Sequence, residues 1–209
     1  YFNHLMRHNL IKTSILTKLI MIRSIQKSTY SSNGDLETEF NVGMKIFGGW
    51  SRAQAQRSLS FFARGQYGVS EIEYPLFSEL NYSKFQSFNL RNSGQDWLRS
   101  QIKDAAVTSL MYGADLEYQS HRQVASYING EYWGLYNIRE KINEHFIASK
   151  GNTNIEDIDL LTNNAEVVHG TNEDYINLRN FISNNNLSNS SNYEYVTTQV
   201  DIDNFIIYT

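Results

Sequence analysis

The sequence contains no cysteine and a single proline. Without cysteine, disulfides and thiolate metal sites are excluded, and the compartment cannot be read from thiol chemistry. The lone proline keeps Tyr74-Pro75-Leu76-Phe77 extended or turning, because it disfavours helix at the residue before it. Charge of one sign is also scarce: 18 lysines and arginines stand against 22 aspartates and glutamates, a formal net charge of -4 at pH 7. That leaves no broad basic field to neutralise a phosphate backbone, so no nucleic-acid partner is expected and any phosphate contact must be local. Long hydrophobic runs are missing too. The longest falls far short of the ~20 apolar residues that span a bilayer, so no transmembrane segment is expected. Hydrophobic residues still make up 41% of the 209 positions, enough to build a globular core.

Residues 1–30 are basic, with Arg7, Lys12, Lys18, Arg23 and Lys27 scattered among Leu, Ile and Met. Those interspersed lysines break the plan of a signal peptide, and the segment reads as a leader, an amphipathic helix or a poorly ordered stretch, with a membrane-surface helix as the alternative. His4 and His8 have helical spacing but lack a third ligand for a metal. Ser31-Ser32-Asn33-Gly34-Asp35 is turn-like and places a domain boundary near residue 30. The chain opens on Tyr1 and stops within an apolar pattern at Thr209, and the expectation is a fragment of something longer.

Residues 122–147 organise the rest. Two apolar-rich segments flank Asn129-Gly130, a dipeptide suited to a two-residue hairpin turn whose central positions both need positive φ. Beyond Tyr136, Ile138, Ile142, Phe146 and Ile147 fall at helical spacing, so the second strand is expected to feed a helix through Arg139-Glu140-Lys141. Glu140 would then open that helix, where it caps the helix or holds a cation.

Alternation over residues 40–47 predicts a strand that ends in Gly48-Gly49, and residues 57–64 predict a second. In the linking GGWSRAQAQ, amides freed by Gly48 and Gly49 can approach an anion while Arg52, Arg57 and Arg64 offer guanidinium forks. A plain turn with solvent-facing arginines accounts for the same residues. A third strand is expected over 85–90 and a helix over 97–112, with Asp96 as its N-cap and Lys103 and Asp104 on its solvated side. Residues 155–161 read as a short strand that puts Asp157 and Asp159 on one face, where a solvated edge is a simpler account than a metal. Thr171 precedes a helix with Asp174 as an approximate capping box, residues 184–192 form a polar connector, and helical segments follow from Tyr193 and from Asp201.

The pattern as a whole is α+β, with a mostly antiparallel sheet and packed helices. Its successive segments, GGWSRAQAQRSLSFFARGQYG, YPLF, FNLRNSGQDW, KDA and YINGEYWGLYNIREKINEHFI, resemble the motifs of the CotH kinase family, the spore-coat-protein-H-like atypical protein kinases, over residues 42–147. The resemblance implies an atypical protein-kinase-like fold, with the nucleotide-covering N-terminal lobe over residues 31–165 and the start of a helical C-terminal part over 166–209. It implies transfer of the γ-phosphate of ATP, with Mg2+ or Mn2+, to serines of a serine-rich protein of the spore coat, the cell surface or the secreted fraction. The nucleotide-binding candidates it implies are Gly48, Gly49, Ser51, Arg52, Arg57, Arg64 and Arg91 for phosphate, with Glu140 ordering a cation. The family favours lysine where Arg57 stands, and the catalytic aspartates are expected after Thr209. The alternative is a non-catalytic, kinase-like binding or scaffold module.

Overall fold

The computed structural model describes residues 23–31 and 33–209. Strands β1 (Arg23–Tyr30), β2 (Leu36–Ile46) and β3 (Leu59–Phe62) are followed by the short β4 (Ile72–Glu73) and β5 (Lys84–Phe85) and by β6 (Ser87–Arg91). Helix α1 (Lys103–Ser109) precedes β7 (His121–Ile128), β8 (Glu131–Glu140) and α2 (Glu144–Gly151). Beyond them come β9 (Leu160–Thr162), β10 (Glu166–His169), α3 (Glu173–Asn184), α4 (Ser190–Gln199) and α5 (Ile202–Tyr208). Six strands form one sheet in the order β1-β2-β3-β6-β8-β7, each neighbouring pair antiparallel.

The Asn129-Gly130 hairpin forms as its sequence dictates, with φ of 53° and 82° at the two turn positions. Register then separates the sheet into two chemically different faces. On one, Ile46, Leu59, Leu90 and Ile138 sit opposite one another across four strands, and Met44, Phe61 and Phe88 do the same beside them. Phe61 and Phe88 stack at 5.0 Å. Ile72, Leu76, Phe77 and Phe85 from the β4–β5 segment close over this face and complete the core. The opposite face carries Lys45, Ser60, Asn89 and Arg139 in register, and it is polar although much of it is buried. Such groups must pair internally. Ser60 Oγ donates to Asn89 Oδ1 at 2.6 Å, and Asn137 Nδ2 donates to Ser93 Oγ at 3.0 Å and to the Gln101 carbonyl at 3.2 Å. The segment from Ser93 to α1 therefore packs on the polar face.

Several boundaries differ from the sequence expectation. Among the described residues the sheet begins at Arg23, so the last eight residues of the basic segment pair with β2 instead of lying outside the fold, and a turn with Gly34 at φ 88° leads into β2. The readings for residues before Arg23, His4 and His8 included, lie outside the described residues. The helix expected over 97–112 is confined to Lys103–Ser109, because Gln101 sits at φ 60° and breaks the run. Leu98, Ile102 and Leu110, which such a helix would have aligned on one face, are exposed. Strand β8 continues through Glu140, and α2 starts only at Glu144, where Asn143 caps it by accepting from Phe146 N at 3.0 Å. Asn152, at φ 49°, is the C-cap that ends α2. Residues 155–157 form a 3-10 turn before β9, so Asp157 and Asp159 do not share a strand face: one accepts from Asn154 Nδ2 and the other from Thr171 N. Asn172, not Thr171, is the N-cap residue of α3, and α4 begins at Ser190, inside the expected connector.

Candidate anion-binding cleft

The link between β2 and β3 opens with Gly48 at φ 105°, where a Cβ would collide with Ser51 Oγ, and tightens into a 3-10 turn over Trp50–Ala53. Only glycine fits that first position. The remainder of the link is latched to the sheet. The Gln56 carbonyl accepts from Asn92 Nδ2 at 2.5 Å, Gln56 Oε1 accepts from Trp97 Nε1 at 3.0 Å, and Gln56 Nε2 donates to the Leu135 carbonyl at 2.5 Å. Gly134 makes room for that amide, since a Cβ there would lie 2.7 Å from Gln56 Nε2. Next to it, Tyr136 OH donates to the Arg57 carbonyl at 2.8 Å, and Ser58 Oγ donates to Asn92 Oδ1 at 2.8 Å. Burial of the Tyr136 phenol in this packing pushes it up to about 12.

Between the latched loop, the end of β6 and α1 lies an open cleft of about 810 Å³, lined by Ser51, Arg91, Asp96, Arg99, Lys103 and Asp104 among others. Both of its carboxylates are committed to the protein. Asp96 Oδ2 accepts from Ser100 Oγ at 2.6 Å and from Lys103 N at 3.1 Å, and these bonds, Ser100 first, hold its carboxyl below the usual range. Asp96 is therefore not the N-cap residue, a position that Ile102 occupies, but it accepts from the first amide of α1 across the intervening turn. Asp104 Oδ2 lies 2.6 Å from Arg139 Nη1 and 3.5 Å from Arg91 Nε, so it is not a solvated side chain but the counter-ion of a buried strand arginine. With the acids occupied, the side chains of Arg99 and Lys103 have no ion-pair partner among the described residues, and both line the cleft, where their donors can meet an anion.

The eight candidate residues do not converge. Ser51 and Arg91 line the cleft, Gly48 shapes its loop, and Gly49 and Arg52 are exposed beside it. Arg57 Nε donates to the Arg52 carbonyl at 3.0 Å and so stiffens the loop from within. Arg64 lies past the other end of β3, 5.9 Å from the Phe62 ring centroid. Glu140, buried at 3% exposure, accepts from Tyr82 OH at 2.5 Å and Ser120 N at 2.8 Å. Its cation is Lys150, 3.5 Å away on α2, so Glu140 ties β8, α2 and two loops together; it does not open a helix. Reading the sequence alone missed Arg99, Lys103 and Gln56. The available signal was the four-residue spacing of the two cations just downstream of Arg91.

Three cations lining one cleft suit an anion with several oxygens, such as a polyphosphate. Among the described residues no group of three or more His, Asp or Glu could hold a metal ion. No helix of the described residues is long and apolar enough to cross a membrane. An antiparallel sheet with one apolar face, and a polar face bearing a helix and a basic cleft, is a kinase-like lobe of the α+β class. The family model for CotH kinase protein matches residues 44–209, and the chain belongs to the CotH kinase family. A search of curated proteins gives no match.

Proposed function

We propose that this chain is the nucleotide-covering lobe of an ATP-dependent phosphotransferase that acts on serine hydroxyls of proteins. Membership of the CotH kinase family supports a kinase-like activity. The observation that carries the finer reading is the one cleft that Ser51, Arg91, Arg99 and Lys103 line, beside the loop that Gly48 opens. ATP supplies the phosphoryl group. Arg91, Arg99 and Lys103 hold and neutralise its phosphate oxygens, and the loop latched through Gln56 limits how far that charge can move, which matters because phosphoryl transfer is accelerated mainly by positioning and charge neutralisation. The coat-protein or surface-protein substrate belongs to the same proposal.

A second reading rests on the two carboxylates of the cleft. Asp96 and Asp104 are both engaged, so neither takes a proton from a hydroxyl without losing its protein partner. A kinase-like module that binds nucleotide without transferring phosphate accounts for that. Radiolabel transfer from ATP to a serine-rich protein, assayed with the natural protein that contains these residues, separates the two. Transfer that falls with Arg91→Ala supports the phosphotransferase, and binding without transfer supports the module.

A further inference from the structure

A second basic cluster lies on the same polar sheet face, centred toward the far end of β3 from the glycine turn, although Arg52 of that turn also acts on its Lys45. Lys45 of β2, Arg64 just past β3 and Lys141 just past β8 gather over the ring of Phe62, which is 6% exposed. Lys141 Nζ lies 4.4 Å and Lys45 Nζ 4.8 Å from the ring centroid, and the Arg64 guanidinium carbon 5.9 Å. These contacts come from register and strand ends, not from adjacency in sequence: Gly43 and Ser87 flank Phe62 across the sheet, and Glu140, next to Lys141, sits opposite Phe88.

The cluster is short of negative charge. None of the three cations forms an ion pair among the described residues, and the one carboxylate that acts on Lys141 is Glu144, which also meets His145 Nε2 at 3.6 Å. Residues 1–22 contain no aspartate or glutamate, so that segment brings no counter-charge. A phenyl ring attracts cations through its quadrupole but leaves the N–H donors of the two ammonium groups and the guanidinium without acceptors. Burial, then the neighbouring Lys45 and Arg64, pull Lys141 down to about 8, in keeping with like charges held together.

We propose that Lys45, Arg64 and Lys141 form a second anion site, one that takes a phosphate group. Its three donors suit a tetrahedral oxyanion, and the Phe62 ring beneath them is a floor that competes for none of the hydrogen bonds. The site shares no residue with the cleft of Arg91, Arg99 and Lys103, and it does not depend on the nucleotide reading of that cleft. The phosphate can belong to a phosphorylated side chain of a protein or to a nucleotide.

The test is a titration of the chain with inorganic phosphate, followed by lysine side-chain NMR, with ADP and a phosphoserine peptide as parallel arms. The expected result is saturable binding that moves the Lys141 signal and weakens about tenfold in Lys141→Gln and in Arg64→Gln, as loss of one charge-assisted contact requires. Lys141→Arg, which keeps the charge, restores most of it. Arg64 is exposed, so its variant stays folded and keeps the test valid if Lys141→Gln does not. Tighter binding of the phosphoserine peptide assigns the site to a protein ligand, and tighter binding of ADP assigns it to a nucleotide. Absence of saturation overturns the proposal, as does equal weakening by Lys84→Gln, a charge change at an exposed residue outside the cluster.

Discussion

Arg139 Nη1 lies 2.6 Å from Asp104 Oδ2, and through this contact a guanidinium only 4% exposed on the sheet's polar face is neutralised by the first turn of α1. The pair does more than offset charge. Arg139 also reaches Thr108 Oγ1 at 3.2 Å, so α1, which buries little beyond Ala105, is held to the sheet mainly by polar contacts.

Removing Asp104 leaves that arginine buried without its partner. Asp104→Ala is expected to destabilise the chain by about 3 kcal/mol, the scale for breaking a buried pair. Thermal melts of Asp104→Ala and of the double variant Asp104→Leu with Arg139→Met measure it. Recovery of most of the loss in the double variant would show that the penalty is the stranded charge.

Gly134 admits the Gln56 amide, and Gly134→Ala would drive a methyl into it. The hydrogen bonds from Gln56 to Leu135 and from Trp97 to Gln56 should then be lost together, for about 1 to 3 kcal/mol. Hydrogen exchange over residues 47–57 should quicken in Gly134→Ala and in Gln56→Ala alike. Unchanged exchange in both would mean that the loop is held by something else.

Lys141 fixes a pH dependence. Its folded-state value is drawn down to about 8 by burial and by Lys45 and Arg64, against the unfolded value of about 10.4. Between about pH 8 and about pH 10.4 the unfolded chain holds the extra proton, so stability should rise with pH across that window, with the penalty fully present below it. Urea midpoints measured across the window should climb in the wild type and flatten in Lys141→Gln.

Glu140 accepts from Tyr82 and Ser120 and faces Lys150, so Glu140→Ala should leave Lys150, whose side chain is 10% exposed, with only the more exposed Glu117 at 3.6 Å as its counter-ion and release two loops. A loss of about 3 kcal/mol is expected, read as a shift of the urea midpoint. A neutral result would restore Glu140 as a free carboxylate.

What the sequence made legible was whatever rested on local rules. Asn129-Gly130 announced its hairpin because both turn positions need positive φ, and the alternation over residues 40–47 announced β2. Register was not legible. The union of Lys45 with Lys141, or of Asp104 with Arg139, depends on which strands are neighbours, and a pairing between residues 35 apart leaves no local trace. The helix over 97–112 failed for a related reason. Its apolar spacing was real, but Gln101 adopts a left-handed conformation in a turn set by Asn137 and Ser93, a tertiary contact that overrides propensity. Strand β1 was hidden because its basic composition outweighed the hairpin signal of Asn33-Gly34.

Isothermal titration of the chain with ATP tests the cleft as a phosphate site most directly. Wild type should bind saturably, and Arg91→Ala and Lys103→Ala should each weaken binding about tenfold or more while leaving the fold intact by circular dichroism. Binding of equal strength in wild type and in both variants would contradict the account and remove these residues from the site.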